Sequence, residues 1–253
     1  MQLRWFDHWL KGIDSGMLAE PPVRLFVMGA NVWRDEAEWP LARAGNTPFY
    51  FHADRTFTTD PPDAERPDWF TYDPASPGPT HGGALLMSPE FPSGPYDQRS
   101  IESRPDVLTY TTAPLERDTE VTGPVSVELW ACSSAPDTDF VARLVDVYPD
   151  GRAYNLTDGI IRARYRDYPL AESLIEAGRP YRFNIDLWAT SNVFKAGHRI
   201  RVQITSSNFP RWDRNPNTGH PFGQDAELRT ADQTILHDRE HPSHILLPLV
   251  PAA

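Results

Sequence analysis

Candidate nucleophiles are scarce in this sequence. A serine exposed on a sharp strand-to-helix turn is typically flanked by glycines as G-x-S-x-G, whereas Ser15 lies in GIDSGM and Ser93 in FPSGP. The single cysteine, Cys132, has no neighbouring histidine and ends a strand-like run, which is typical of a small buried residue. The sequence therefore predicts no catalytic nucleophile in this chain.

Three histidines have a spacing that metal sites use. His237, His241 and His244 stand at positions i, i+4 and i+7, which would place their imidazoles on one side of a helix. Pro242 lies between the last two and interrupts a helix there. We therefore expect solvated loop histidines, no metal and no cofactor.

Paired carboxylates are a further source of chemistry. A glycosidase needs two of them across a cleft, about 5–9 Å apart, and the sequence offers Asp137 with Asp139, Asp213, and the acidic group at 35–38. Because the chain contains 35 acidic residues, such pairs also arise by chance. The carboxylate pairs alone therefore do not indicate a glycosidase.

Exposed tryptophans on a β-sandwich can stack on sugar rings. Trp130, Trp188 and Trp212 are the candidates for such a surface. Large aromatic side chains more often pack against the protein itself, and Trp130 and Trp188 both end strand-like runs. Carbohydrate binding therefore stays an alternative function.

The elements that would position these groups are strands. Phe183, Ile185 and Leu187 alternate with polar residues, and Ile200, Val202 and Ile204 do so again after a turn at 195–198. A period of two predicts strands that bury one face. The pattern stops in the polar, aromatic run 206–217, where Pro210 cannot donate to a sheet.

Further strand signals occupy most of the chain. Asp150-Gly151 predicts a hairpin turn, and Pro248 indicates an edge or an end of the last strand. Segment 53–106 is rich in proline and irregular, which is typical of a functional loop or of one draped over another surface. The number and spacing of strands predict a β-sandwich of jelly-roll type. The strands are predicted at 47–52, 107–111, 125–132, 140–148, 154–156, 160–165, 181–187, 199–205 and 243–250.

The first 46 residues have a different character. Leu3, Phe6, Trp9 and Leu10 share one helical face, and Gly12 is a plausible helix stop. Segment 23–28 (VRLFVM) predicts a strand buried on both faces of a parallel sheet, and segment 33–39 (WRDEAEW) one or two helical turns. The helix begins almost at Met1, so the chain is expected to start inside an element.

Composition limits the partners. The net charge of −11 argues against nucleic acid or an anionic membrane as a partner, because phosphate binding requires a basic surface. The sequence has no signal peptide and no apolar run of 18 residues. We expect a cytoplasmic location.

Five segments have wording that is specific to one protein family. They are VRLFVMG (23–29), GPYDQRSI (94–101), the run 120–166, WATSNVFKAGHRIRVQITSSNFPRWDRNPNTG (188–219) and EHPSHILLP (240–248). Together they resemble the C-terminal region of the cocaine esterase and Xaa-Pro dipeptidyl-peptidase (CocE/NonD) serine hydrolases, and the resemblance extends over nearly the whole chain.

The resemblance implies a hydrolase of acyl esters, amides or peptides with an α/β-hydrolase domain, a helical cap and a C-terminal jelly roll of galactose-binding-like type. LRWFDHWLKG (3–12) resembles the last helix of that hydrolase domain, and VRLFVMG its last strand. The serine, acid and histidine of the triad would precede Met1, so no catalytic residue can be assigned here. We therefore expect a truncated or split member: a remnant of the hydrolase domain at 1–46, a jelly roll at 47–253, and no activity alone.

The resemblance also implies a role and a partner. In the family the jelly roll packs against the hydrolase domain and walls the acyl pocket, and GGALLMSPEF (82–91) resembles the loop that approaches the active site. Leu86 and Met87 are the predicted pocket-lining residues, with ordinary strand core as the alternative. Without its hydrolase domain, the N-terminal apolar surface is expected to cause self-association. An independent jelly-roll binding module remains the alternative.

Overall fold

The computed structural model describes residues 2–84, 89–221 and 223–251, which form mainly antiparallel β structure. Helices α1 (Gln2–Lys11) and α2 (Arg99–Glu102) are short. The strands are β1 (Val23–Val27), β2 (Val32–Glu36), β3 (Gly45–Phe51), β4 (Phe57–Thr58), β5 (Asp68–Tyr72), β6 (Leu108–Thr111), β7 (Thr119–Ser133), β8 (Asp139–Val147), β9 (Ala153–Arg162), β10 (Tyr181–Phe194), β11 (Arg199–Thr205), β12 (Ala231–Leu236) and β13 (His244–Val250).

Two sheets enclose one core. The larger sheet has the order β4-β3-β13-β7-β12-β5, with β10 on the other edge of β7, and the smaller sheet has the order β6-β11-β8-β9. Inward residues of the large sheet, such as Leu129 and Phe183, belong to the same buried cluster as Phe140, Leu144 and Val202 of the small sheet. The predicted β-sandwich is therefore confirmed in its two-layer form.

The predicted strands at 181–187 and 199–205 are both present. Strand β10 continues beyond Leu187 to Phe194 and pairs with β7 along its length, with a β-bulge between Asp186 and Ala189. Gly197, at φ 82°, lies in the turn before β11, where glycine adopts a left-handed conformation without a Cβ clash. Segments 154–156 and 160–165 are predicted as separate strands, but 153–162 is one strand because the interval 157–159 also pairs with β8.

The N-terminal region differs from the prediction beyond its helix. Helix α1 forms, and the amide of Gly12 closes it on the carbonyl of His8. Segment 23–28 is not a parallel strand buried on both faces, because β1 pairs antiparallel with β2 and has two exposed positions. Segment 33–39 is largely strand instead of helix, since Gly29 and Asn31 take positive φ and turn the chain back.

Two kinds of contact attach this hairpin to the sandwich. The Met28 amide donates to the carbonyl of Ser191 and the Met28 carbonyl accepts the amide of Val193, around a parallel bridge to Asn192 in β10. Arg34 makes two hydrogen bonds, of 2.8 and 2.5 Å, to the carboxylate of Glu120 at the start of β7. The hairpin is thus bound to strands β7 and β10 by backbone hydrogen bonds and by an ion pair.

Strand β13 is not at an edge of the sheet, because it lies between β3 and β7. Pro248 stands two residues from the end of β13, where pairing with β7 shifts register between Leu246 and Leu249. A residue without an N–H is tolerated at such an irregularity. Pro248 therefore marks the end of strand β13, as one of the two alternatives predicts, and not an edge of the sheet.

The irregular segment after β5 covers the outer face of the small sheet. All nine residues of β8 are buried, although only alternate ones face the core. Glu102 of α2 accepts hydrogen bonds from Arg201 and Gln203 on the outer face of β11. This part of the long loop is therefore draped over a surface, as predicted. In the described residues, no helix is long and apolar enough to span a membrane.

Candidate functional site

The loop predicted to approach the hydrolase pocket has a closed base. Gly83 and Gly94 exchange backbone hydrogen bonds of 2.8 and 2.9 Å, so the chain leaves and returns at one point. Leu86 and Met87 lie outside the described residues. The structure therefore establishes the base of their loop and not their contacts.

Glycine is required at the start of this base. Gly82 has φ +74°, and a Cβ there would lie 2.5 Å from the carbonyl oxygen of Gly94 and 2.8 Å from the ring of Tyr96. The rings of His81 and Tyr96 meet edge to face at 5.3 Å. Separating the two ends of the loop would therefore break these contacts and cost free energy.

Two buried amides anchor the base to the sandwich. The Gln98 side chain donates from Nε2 to the carbonyls of His81 (2.8 Å) and Tyr96 (3.0 Å) and to Oδ1 of Asn155 (3.1 Å). The same Asn155 oxygen accepts the amide of Tyr96 at 2.8 Å. Because Asn155 belongs to β9, this amide pair, Gln98 and Asn155, fixes the loop base to the small sheet.

The polar run after β11 anchors the other side. The amide of Thr80 donates to the carbonyl of Phe209, and its hydroxyl donates to the carbonyl of Asn208 at 3.0 Å. Arg211 binds Asp158 of β9 at 2.5 Å. The run is thus joined to Thr80 by hydrogen bonds and to β9 by an ion pair.

A second polar site is a cleft of about 410 Å³ beside the same run. Asp137 binds Arg164 (2.8 Å), and Asp139 makes two hydrogen bonds to Arg162 (2.8 and 2.9 Å). Asn215 donates to both carboxylates, at 3.0 and 2.9 Å. Burial raises the pKa of the Asp139 carboxyl, although Arg162 favours its charged form. Asp137 and Asp213, which line the cleft, and Asp139 beside it all form ion pairs with arginines, which does not support the glycosidase interpretation.

The three histidines with helical spacing have separate partners. His237 lies 3.2 Å from Asp68, His241 lies 3.1 Å from Asp238, and His244 Nδ1 lies 2.8 Å from the carbonyl of Pro242. A different group, His220, Asp225 and Glu227, is the one whose donor atoms lie close enough together to hold an ion in the described residues. Asp225 already accepts hydrogen bonds from Thr218 and His220 there.

One hydroxyl–imidazole–carboxylate chain exists in the described structure. His52 Nδ1 lies 2.7 Å from Glu65, and His52 Nε2 lies 3.0 Å from the hydroxyl of Thr58. The Thr58 hydroxyl also accepts the amide of Asp60, and the second oxygen of Glu65 accepts the amide of Ala53. These bonds close the loop from 52 to 65 on itself, so the arrangement explains local structure without catalysis.

The three tryptophan candidates differ in accessibility. Trp130 is half-buried and meets the ring of His241 at 5.0 Å, and Trp212 carries the guanidinium of Arg211 at 4.4 Å. Trp188 is 71% exposed and takes φ 64° in the β10 bulge. Only Trp188 of the three therefore presents most of its ring to solvent.

The N-terminal elements present a large apolar surface. Leu3, Phe6, Trp9 and Leu10 of α1 are all exposed, and so are Phe26 and Trp33 of the hairpin, whose rings meet at 5.4 Å. No residue of α1 is buried. Exposed apolar surface of this extent is typical of an interface.

These features define a β-sandwich domain with an anchored loop and an apolar flank. Residues 15–246 match the family described as the X-Pro dipeptidyl-peptidase C-terminal non-catalytic domain, and the chain belongs to that family. The anchoring residues Gln98 and Asn155 were not predicted, although both lie in segments that resemble the family, GPYDQRSI and the run 120–166.

Known proteins agree with this assignment. The chain is 48% identical over 261 residues to the cocaine esterase of Rhodococcus sp. (strain MB1 Bresler), covering 99% of this chain and 45% of that protein. Two solved structures are each 30% identical to this chain. An aminopeptidase from a marine sediment Thaumarchaeota archaeon has a TM-score of 0.87, and the match covers 99% of this chain and 43% of that one. An α-amino acid ester hydrolase has a TM-score of 0.83, and the match covers 97% of this chain and 44% of that one. The chain thus spans less than half the length of these relatives.

Proposed function

We propose that this chain is the accessory domain of a serine hydrolase that cleaves acyl esters, amides or peptides, and that it walls the acyl pocket. Family membership supports the accessory role. The names of the relatives, an esterase, an aminopeptidase and an amino acid ester hydrolase, support the substrate class. The triad belongs to a hydrolase domain outside these residues, and the chain alone is inactive.

The anchored loop base carries this proposal. A pocket wall must hold its side chains in place, and the hydrogen bonds at Gly83, Gly94 and Gln98 attach the loop to the sandwich at its base. Leu86 and Met87, within this loop, are the proposed wall residues. Their apolar side chains suit an acyl group.

The apolar flank is the proposed docking surface for the hydrolase domain. Under this proposal residues 1–46, the remnant of the hydrolase domain, lie between that domain and the sandwich, and residues 47–253 form a jelly roll of galactose-binding-like type. The exposed face of α1 and the Phe26–Trp33 pair then become interior. A cytoplasmic location is part of the same proposal.

Complementation tests the proposal. The chain is mixed with the part of the Rhodococcus relative that precedes the matched region, and hydrolysis of p-nitrophenyl esters of increasing acyl length is measured. We expect no rate from the chain alone and a rate from the mixture. Leu86→Ala and Met87→Ala should each change kcat/KM by about tenfold for the longer acyl groups, because each removes apolar contact with the substrate.

The matched control is Leu170→Ala, which truncates an exposed leucine in the loop between β9 and β10. It should leave the acyl preference unchanged. A rate from the chain alone would contradict the accessory role, and an unchanged acyl preference in both loop variants would contradict the pocket wall.

A sugar-binding module is the second candidate, and the exposure of Trp188 favours it. Its amide is held by the carboxylate of Asp186 at 2.7 Å, which stabilises the left-handed backbone that projects the ring. Binding to a glycan array that is lost in Trp188→Ala and kept in Trp212→Ala would support this function over the first.

A further inference from the structure

A buried arginine in the layer under the draped loop forms no ion pair in the described residues. Arg143 lies in β8 and is 3% exposed. Its neighbours Ala142 and Leu144 face the main core, so Arg143 faces the opposite side, which α2 covers through Glu102. In the described structure its one hydrogen bond runs from Nη1 to Oε1 of Gln203 at 2.5 Å, and it forms no ion pair within 4.0 Å.

The nearest acids are already paired with other arginines. Asp158, opposite Arg143 on β9, binds Arg211 at 2.5 Å, and Glu102 binds Arg201 at 2.7 Å. Three guanidinium groups thus share two carboxylates, which leaves one positive charge in the layer. Burial lowers the pKa of Arg143, yet a guanidinium stays protonated at neutral pH. An uncompensated buried charge is costly, so a counter-charge is expected.

A second donor lies on the same face. Thr205 follows Gln203 by two residues on β11, while Val202 and Ile204 face the core. Thr205 is buried, and its hydroxyl has no hydrogen-bond partner in the described residues. Its position opposite Val141 makes it a diagonal neighbour of Arg143, roughly 7–8 Å away between backbones, which long side chains can span.

We infer that the layer between β8, β11 and the described parts of the draped segment, 74–84 and 89–106, binds one small anion, a halide or a carboxylate of formate size. The free N–H groups of the Arg143 guanidinium are its main ligands, and the Thr205 hydroxyl donates to it as well. The anion neutralises the excess charge and joins the draped segment to the small sheet. This inference is independent of the proposed hydrolase partner.

Thermal unfolding of the 253-residue chain tests the site. Sodium gluconate, whose anion is too large to enter, is replaced at constant ionic strength by sodium chloride in one series and sodium formate in another. We expect a saturable rise in Tm of about 3–6 °C at tenfold the apparent Kd. A rise in one series alone identifies the anion as halide or carboxylate. Equal, non-saturating curves in all salts would overturn the inference.

Variants and diffraction separate the site from general salt effects. Arg143→Met should abolish the anion-dependent rise, Thr205→Val should weaken the apparent Kd by about tenfold, and Arg182→Met, at an exposed arginine of β10, should change nothing. Crystals soaked in bromide should show an anomalous peak beside the Arg143 guanidinium. This measurement decides the matter if Arg143→Met does not fold, and absence of the peak together with an absent formate effect rejects the site.

Discussion

Asn155 is a single side chain on which two backbone segments depend. Its oxygen accepts both the Tyr96 amide and the Gln98 side chain. Asn155→Leu keeps the volume and leaves the buried Tyr96 amide without this acceptor, while the Gln98 side chain keeps only the carbonyls of His81 and Tyr96. We expect a loss of about 1–3 kcal/mol in the free energy of unfolding, measured by urea titration, and faster hydrogen exchange at the Tyr96 amide.

Asn184→Leu is the control for this substitution, because Asn184 is exposed on β10 and should change stability by no more than about 0.5 kcal/mol. If both variants lose the same stability, the pairing of Asn155 with the loop base is not what holds the loop. If Tyr96 exchange is unchanged while stability falls, Asn155 supports β9 alone.

At the scale of elements, the charged part of the hairpin's attachment comes from one carboxylate, that of Glu120. Hydrogen bonds from Arg34 hold the pKa of Glu120 below its usual value, so the folded state favours the charged form. This stability is present above the ordinary glutamate pKa and is lost as pH falls through the lowered value. We therefore expect the hairpin to open on acidification from pH 6 to about pH 3 before the sandwich unfolds, detected by hydrogen exchange at 23–36.

Glu120→Gln should open the hairpin already at neutral pH, weakening its attachment by about 1–3 kcal/mol. Glu116→Gln, at an exposed position on the loop before β7, is the matched control and should behave as the parent chain. Acid opening that persists unchanged in Glu120→Gln would show that another group titrates.

The same elements show how far a sequence predicts this fold. Alternation is a local signal, so it identified β7, β10 and β11, whose inward residues fill the core. The segment WRDEAEW has helix-forming residues, yet its first four lie in β2, which pairs with β1 and is bound to the sandwich by Arg34 and Glu120, 86 positions apart. The Gln98–Asn155 contact joins residues 57 positions apart. Local patterns carry no information on such partners, and only the family resemblance pointed to their segments.

For the whole molecule, the apolar flank governs behaviour in solution. Leu3, Phe6, Trp9 and Leu10 are exposed on α1, and the hairpin adds Phe26 and Trp33. Removing such surface from water is worth roughly 25 cal/mol per Å², so two copies can lower their free energy by covering it. We expect concentration-dependent self-association at micromolar concentration, measured by light scattering coupled to size exclusion. Phe6→Lys with Trp9→Lys should shift the chain toward monomer, because charged side chains resist burial.

Trp69→Lys, at another exposed tryptophan, in the edge strand β5, is the control and should leave the association unchanged. A clean monomer of the parent chain would contradict the prediction, and association that is abolished by Trp69→Lys alone would place the contact at the sheet edge. Under the proposed function, an added hydrolase domain should compete with self-association, because both would cover the same flank.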